Sequence, residues 1–73
     1  MLMTMKIDGA KLRQLRYERF LNVGELADKA GLNAWTISRL ESGDWPGGSR
    51  PATVRKLGQA LEVDPHELLA EED

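Results

Sequence analysis

Residues 22–43, NVGELADKAGLNAWTISRLESG, decide the fold. Val23, Leu26, Ala27 and Ala30 fall at i, i+3, i+4 and i+7, the stripe of a helix with one buried face. Asn22 stands just before it and can cap its first amides. Gly31 follows it, the residue best suited to a left-handed helix end. Asn33 then caps a second helix in which Ile37 and Leu40 face inward, and Gly43 closes that helix. The two helices are joined only by Gly31-Leu32, a tight turn that sets the second across the first at a steep angle. The second helix of such a pair can offer its outer face to a DNA major groove, which is wide enough to admit a helix. Glycine turns between helices are common, so the pattern by itself also fits a plain structural hairpin.

Outward from this centre, the preceding helix begins near Asp8, an N-cap, with Leu12 and Leu15 spaced i, i+3 on its inner face. After Gly43, residues 44–51 (DWPGGSRP) have the composition of a loop. A fourth helix is expected from near Pro51 to about Glu62, with Val54, Leu57 and Leu61 inward and Gly58 allowing close helix approach on the same face. A last helix is expected after Asp64 as N-cap, with Pro65 as its first residue, Glu67 as the partner in a capping-box-like pair, and Leu68 and Leu69 inward. No strand signal, internal repeat or low-complexity segment is present. The expected fold is all-α, a compact five-helix bundle forming a single domain over 1–73.

Composition narrows the chemistry. Seventy-three residues bury only a small core. There is no cysteine and one histidine, His66, so neither a disulfide nor a zinc site is expected. The formal net charge is −2, but it is divided: +4 over residues 1–60 and −6 over residues 61–73. A basic body with an acidic end can still present one positive face to phosphates. No stretch approaches the roughly 20 apolar residues of a membrane span, and residues 1–6 lack the order of a signal peptide. A soluble, cytoplasmic protein without a membrane partner is expected. An enzyme is not: the chain has no cysteine nucleophile, no serine-with-histidine arrangement and no glycine-rich phosphate loop. No cofactor or metal is expected either.

Several linked segments carry a resemblance. Leu12-x-x-Leu15-Arg16, Leu26-Ala27, Ala30-Gly31-Leu32, Thr36 to Gly43, Leu57, Ala60-Leu61, Val63 and Asp64-Pro65-x-Glu67-Leu68-Leu69 follow in the order of the phage repressor and Cro type of helix-turn-helix domain. The likeness covers about residues 7–70, with the helix-turn-helix at about 22–43 and an acidic tail at 71–73. It implies a sequence-specific, double-stranded DNA-binding transcriptional regulator, a repressor of the phage type acting as a homodimer. By the same resemblance Asn33, Ala34, Trp35, Ser38 and Arg39 form the base-facing surface. Asn22 and Val23 at the helix start, with Thr36, Ser42 and Arg50, touch phosphates. Arg13, Lys29, Arg55 and Lys56 are weaker phosphate candidates, each also explained as a solvated charge. Arg16 and Glu41 form a partly buried ion pair that supports the fold.

Arg39 is the first choice for reading a base, because a guanidinium can grip guanine O6 and N7 together; a phosphate or a nearby acid such as Asp44 is the other partner open to it. Trp35 either meets a thymine methyl or the sugar backbone, or folds back on Trp45. Two departures stand out. Val23 occupies a position where the family usually has glutamine, so that side chain's phosphate contact is missing. Phe20 occupies a position where the family often has glycine, and a bulky residue is not expected to take the left-handed conformation; the first helix is expected to run on, with Phe20 on the core or exposed. The loop around Trp45 also looks long for the family. Leu68, Leu69, the N-terminal segment and the tail are possible dimer surfaces, or else core or solvent. An antitoxin or protein-interaction module on the same domain is the alternative, with Trp35, Trp45, Phe20 and the methionine-rich start as its docking patch.

Overall fold

The computed structural model describes residues 4–45 and 47–70. The methionines at 1 and 3, Pro46 and the acidic tail 71–73 lie outside the described residues. Four α-helices follow in order: α1 Gly9–Glu18, α2 Val23–Ala30, α3 Ala34–Ser42 and α4 Pro51–Leu61. Asp8, Asn22 and Asn33 cap the first three through their side-chain oxygens. α1 packs on α3, α2 packs on α3 and α4, and the segment after α4 closes over α4. Leu12, Leu26, Ile37, Val54, Leu57, Leu61 and Leu68 form the fully buried centre.

The expected fifth helix is a single 3-10 turn, Pro65–Leu68. It stops there because the next residues are claimed by the N-terminal segment. Ala70 N–H donates to the Lys6 carbonyl at 2.9 Å, and Asp8 N–H to the Leu68 carbonyl at 2.8 Å. Met5 and Ser49 exchange two main-chain hydrogen bonds at 2.8 and 2.7 Å. These isolated bridges, rather than a sheet, tie residues 5–8 to the loop before α4 and to the end of the chain. Leu68 is therefore core, not a free dimer surface. The expected Asp64–Glu67 box does not form, since the Asp64 side chain takes the His66 N–H instead. The complete capping box is at α2, where Asn22 Oδ1 accepts from Glu25 N–H and Glu25 Oε1 accepts from Asn22 N–H.

All four α-helices end in the same way. The residue after the helix turn takes the left-handed conformation, and the next amide reaches back to the carbonyl five residues earlier. The left-handed residues are Phe20 (φ 57°), Gly31 (67°), Gly43 (79°) and Glu62 (59°). The amides are those of Leu21, Leu32, Asp44 and Val63, bonded to the carbonyls of Arg16, Ala27, Arg39 and Gly58. Phe20 thus does adopt the conformation that its bulk disfavours, and α1 stops at Glu18 instead of running on. The reversal brings Leu21 against the core, which offsets the cost of the positive φ. Phe20 itself remains 92% exposed.

One buried ion pair joins α1 to α3. Arg16 donates from Nε to Glu41 Oε2 at 2.7 Å and from Nη2 to Glu41 Oε1 at 2.9 Å. Its Nη1 donates to the Leu21 carbonyl at 2.9 Å. The hydrogen bonds to Glu41 hold the Arg16 pKa above its ordinary value. Nearby, the start of α1 lies directly on the end of α3. A side chain at Gly9 would drive its Cβ into the Leu40 and Glu41 carbonyl oxygens. At Gly58 a Cβ would come within 2.9 Å of Pro65, so the missing side chain serves contact with the 3-10 turn.

Three outcomes follow for stability. Glu41→Ala leaves the Arg16 guanidinium buried without its carboxylate and lowers stability by about 3 kcal/mol, read as a fall in the thermal midpoint; an unchanged melt would show that the pair does not support the fold. Phe20→Gly removes a left-handed strain of roughly 1–2 kcal/mol against a glycine entropy cost of roughly 0.5–1 kcal/mol, so a small net rise in the midpoint is expected. The third concerns Asp64, whose carboxyl is held below its ordinary value of 3.8 by the His66 N–H and ring. A depressed folded pKa gives stability that is present above the unfolded value and lost as pH falls through the folded one. Asp64→Ala therefore lowers the midpoint at neutral pH, and the gap to wild type narrows as pH falls through the depressed folded pKa.

Candidate nucleic-acid interface

α3 is held by its inner face and open on its outer one. Ile37 and Leu40 are buried against α1 and α2. Asn33, Ala34, Trp35 and Ser38 are exposed, and Thr36 and Arg39 are half-buried. Asn33 uses its side-chain oxygen to cap Trp35 N–H at 2.8 Å, which leaves its amide N–H donors and one oxygen lone pair for an outside partner. Ala34 offers a methyl and Ser38 a hydroxyl. The polar donors on this face are therefore few, and Arg39 is the strongest of them.

Arg39 does not lie loose. Its Nε and Nη2 both donate to the main-chain carbonyl of Asp44, at 3.2 and 2.9 Å. The acceptor is the carbonyl of Asp44 rather than its carboxylate. The Arg39 Cζ lies 4.9 Å from the centre of the Trp35 ring, a cation–π distance. Trp35 in turn meets Trp45 edge-on, with ring centres 6.1 Å apart and planes at 70°. Trp35 is still 59% exposed, so it rests on Trp45 along one edge and keeps the rest of its surface in solvent. Trp45 packs against the core on its other side.

The rim residues are placed less evenly. At the start of α2 the capping box takes the Asn22 and Glu25 amides and puts the Glu25 carboxylate beside them. The amides of Val23 and Gly24 are the ones left for an anion at that helix start. Ser42 Oγ donates to the Arg39 carbonyl at 3.0 Å. Arg50 is exposed at the head of α4 and makes no capping bond there. Lys29 and Lys56 line one shallow depression with Gln59 and Glu62. Arg13 is drawn to Glu41, Nε to Oε1 at 3.3 Å, and so joins the buried pair. Arg19, which sequence reasoning passed over, caps the end of α4 by donating to the Leu61 and Glu62 carbonyls at 2.8 and 3.3 Å. Nothing in the sequence marks it, because its acceptors are main-chain atoms 42 and 43 residues away. Among the described residues no cluster of histidine, aspartate and glutamate could hold a metal ion.

The sequence model of the helix-turn-helix domain matches residues 9–70. The chain belongs to the helix-turn-helix family. It is 46% identical over 65 residues to the HTH-type transcriptional repressor RghR of Bacillus subtilis, which takes in 89% of this chain and 47% of RghR. The chain thus spans about half the length of the curated relatives that it matches. In structure it is similar to SinR, the master regulator for biofilm formation, solved in complex with DNA. The TM-score is 0.74 at 29% identity, over 80% of this chain and 90% of SinR. SinR of Bacillus subtilis has also been solved in complex with SinI (TM-score 0.78). A segment of 2-hydroxyethylphosphonate dioxygenase has the same fold, with a TM-score of 0.81 at 34% identity, covering 92% of this chain but 15% of the enzyme. The fold therefore occurs inside an enzyme as well as in regulators, and the fold alone does not fix the function. No helix among the described residues is long and apolar enough to cross a membrane.

Proposed function

We propose that this helix-turn-helix domain reads double-stranded DNA through α3 and regulates transcription, as a repressor. The observation that carries the proposal is the outer face of α3, where a braced arginine stands beside small and apolar side chains on a helix whose other face is locked into the core. Such a face fits a major groove, with Arg39 addressing guanine and Trp35 and Ala34 supplying apolar contact to thymine methyls. Asn33 and Ser38 complete the base-facing set. The phosphate contacts come from the α2 start at Asn22 and Val23, from Thr36 and Ser42 on α3, and from Arg50. They fix orientation rather than sequence. The relation to RghR, named a transcriptional repressor, and the likeness to SinR, solved with DNA, support the same role.

The domain acts as a homodimer on two half-sites about one helical turn apart, roughly 34–36 Å. It needs no cofactor, performs no catalysis, and works in the cytoplasm with the DNA that it reads. A second reading, a protein-docking module, draws on two exposed aromatics, Tyr17 and Phe20, which neither the core nor α3 uses.

The test is selection from a random duplex DNA library with wild type and Arg39→Ala in parallel. Wild type is expected to enrich an inverted repeat, and the variant to lose roughly 5- to 150-fold in discrimination at one base of each half-site, as a bidentate guanine contact would. Binding to unrelated sequence at low salt should change little. If wild type enriches no motif even at low salt, the DNA reading fails and the docking module takes its place.

A further inference from the structure

The hydrogen bonds of Arg39 determine which part of its guanidinium is left to read with. Nε–H and the adjacent Nη2–H both point at the Asp44 carbonyl. That is the side-on edge of the fork. Among the described residues the end-on edge, one N–H from each of Nη1 and Nη2, has no partner. These two parallel donors match the O6 and N7 acceptors of guanine. A free arginine must be ordered when it binds; one already fixed is ordered beforehand.

The brace has three parts, and two of them lie beyond the helix-turn-helix. The Asp44 carbonyl is turned back toward Arg39 by the left-handed Gly43, which lets Asp44 N–H bond the Arg39 carbonyl at 3.0 Å. The Trp35 ring lies against the guanidinium, and Trp45 holds the Trp35 ring from the side. Trp45 is itself fixed, because its loop is tied down beyond it. Ser49 pairs with Met5 through two main-chain bonds, and a side chain at Gly48 would strike Thr4 at 2.9 Å. The other three α-helices put an apolar residue, Leu21, Leu32 or Val63, just after the left-handed position, and it packs on the core. α3 alone has a polar residue there, Asp44, and the next residue, Trp45, makes the core contact instead.

We propose that Trp45 is a positioning residue for base reading: through Trp35 it holds the Arg39 guanidinium in the one orientation that presents its end-on fork to a guanine. The proposal rests on the DNA-reading role given to α3 above. It extends the specificity machinery to a loop residue that faces the core and need not touch DNA. Loss of Trp45 frees Trp35 to swing, and Arg39 then samples orientations that suit phosphates and other bases as well as guanine.

The experiment uses the full chain and the duplex selected by wild type. Competition binding measures discrimination at every base position for Trp45→Leu, Trp45→Phe, Trp35→Leu and Arg39→Ala, each with its thermal melt. Trp45→Leu keeps apolar packing on the core but removes the ring edge. It is expected to lose about tenfold in discrimination at the base that Arg39→Ala identifies, with positions addressed by neither Arg39 nor Trp35 unchanged. Trp45→Phe restores an aromatic edge and should stay within about threefold of wild type. In the Arg39→Ala background Trp45→Leu should add nothing at that base. Wild-type discrimination in Trp45→Leu, or an even loss at all positions, overturns the proposal while leaving DNA reading intact. Should Trp45→Leu not fold, full discrimination at the Arg39 base by Trp35→Leu overturns it equally. A wild-type chain that selects no sequence overturns the proposal and the DNA-reading role together.

Discussion

Arg16 gives Nε and Nη2 to Glu41 and Nη1 to the Leu21 carbonyl, so one buried guanidinium holds α1, the turn into α2 and the end of α3 in register. Each of these pieces is too short to be stable alone; α2 has 8 residues and α3 has 9. Their relative placement has to come from tertiary contacts. Apolar packing of Ile37 and Leu40 supplies the driving force, but packing is non-directional. A bidentate arginine–carboxylate pair adds geometry to it, since its two parallel bonds form in only one relative orientation. Gly9 makes that orientation accessible, because any side chain there would hold the start of α1 away from the Leu40 and Glu41 carbonyls.

Rigidity set up on the inner side of α3 has a consequence on its outer side. A reading helix that rocked would blur the position of every side chain that it carries. Here the backbone is fixed by the core and the ion pair, and the longest side chain on the outer face, Arg39, is held separately by Asp44 and by Trp35, which rests on Trp45. The face has few polar groups, so any discrimination by the proposed reading face would depend on how well those few are held rather than on their number. The net negative charge of the chain is no obstacle to this arrangement. The acids concentrated after residue 60 and the cations before it leave the two ends of the sequence with opposite sign.

The common ending of the four helices shows how a small domain changes direction repeatedly without long loops. At α2 and α3 glycine takes the left-handed position at no steric cost. At α1 and α4 Phe20 and Glu62 take it, and the amide after each still closes the helix. What forces them is the next residue, Leu21 or Val63, which reaches the core only if the chain reverses there. Local preference yields to burial of the following side chain.

The helix stripes, the caps at Asp8, Asn22 and Asn33, the glycine ends at Gly31 and Gly43, and the core leucines were all legible in the sequence. They depend on residues within a turn or two of each other, and short-range chemistry is written in the order of residues. So was the outer face of α3, because a helix whose inner face is known has its outer face known too. The pairing of Arg16 with Glu41 was legible only through family resemblance, since 25 residues separate them. Tertiary structure alone decided the rest. It ended the fifth helix after one 3-10 turn, because Lys6 and Asp8 take the main-chain hydrogen bonds of residues 70 and 68. It put Phe20 into the left-handed region against its own preference. It tied Arg13 and Arg19 to internal partners, although by sequence they are ordinary surface cations. Above all it brought the Asp44 carbonyl to Arg39, because a main-chain acceptor has no residue type and no sequence pattern can announce it.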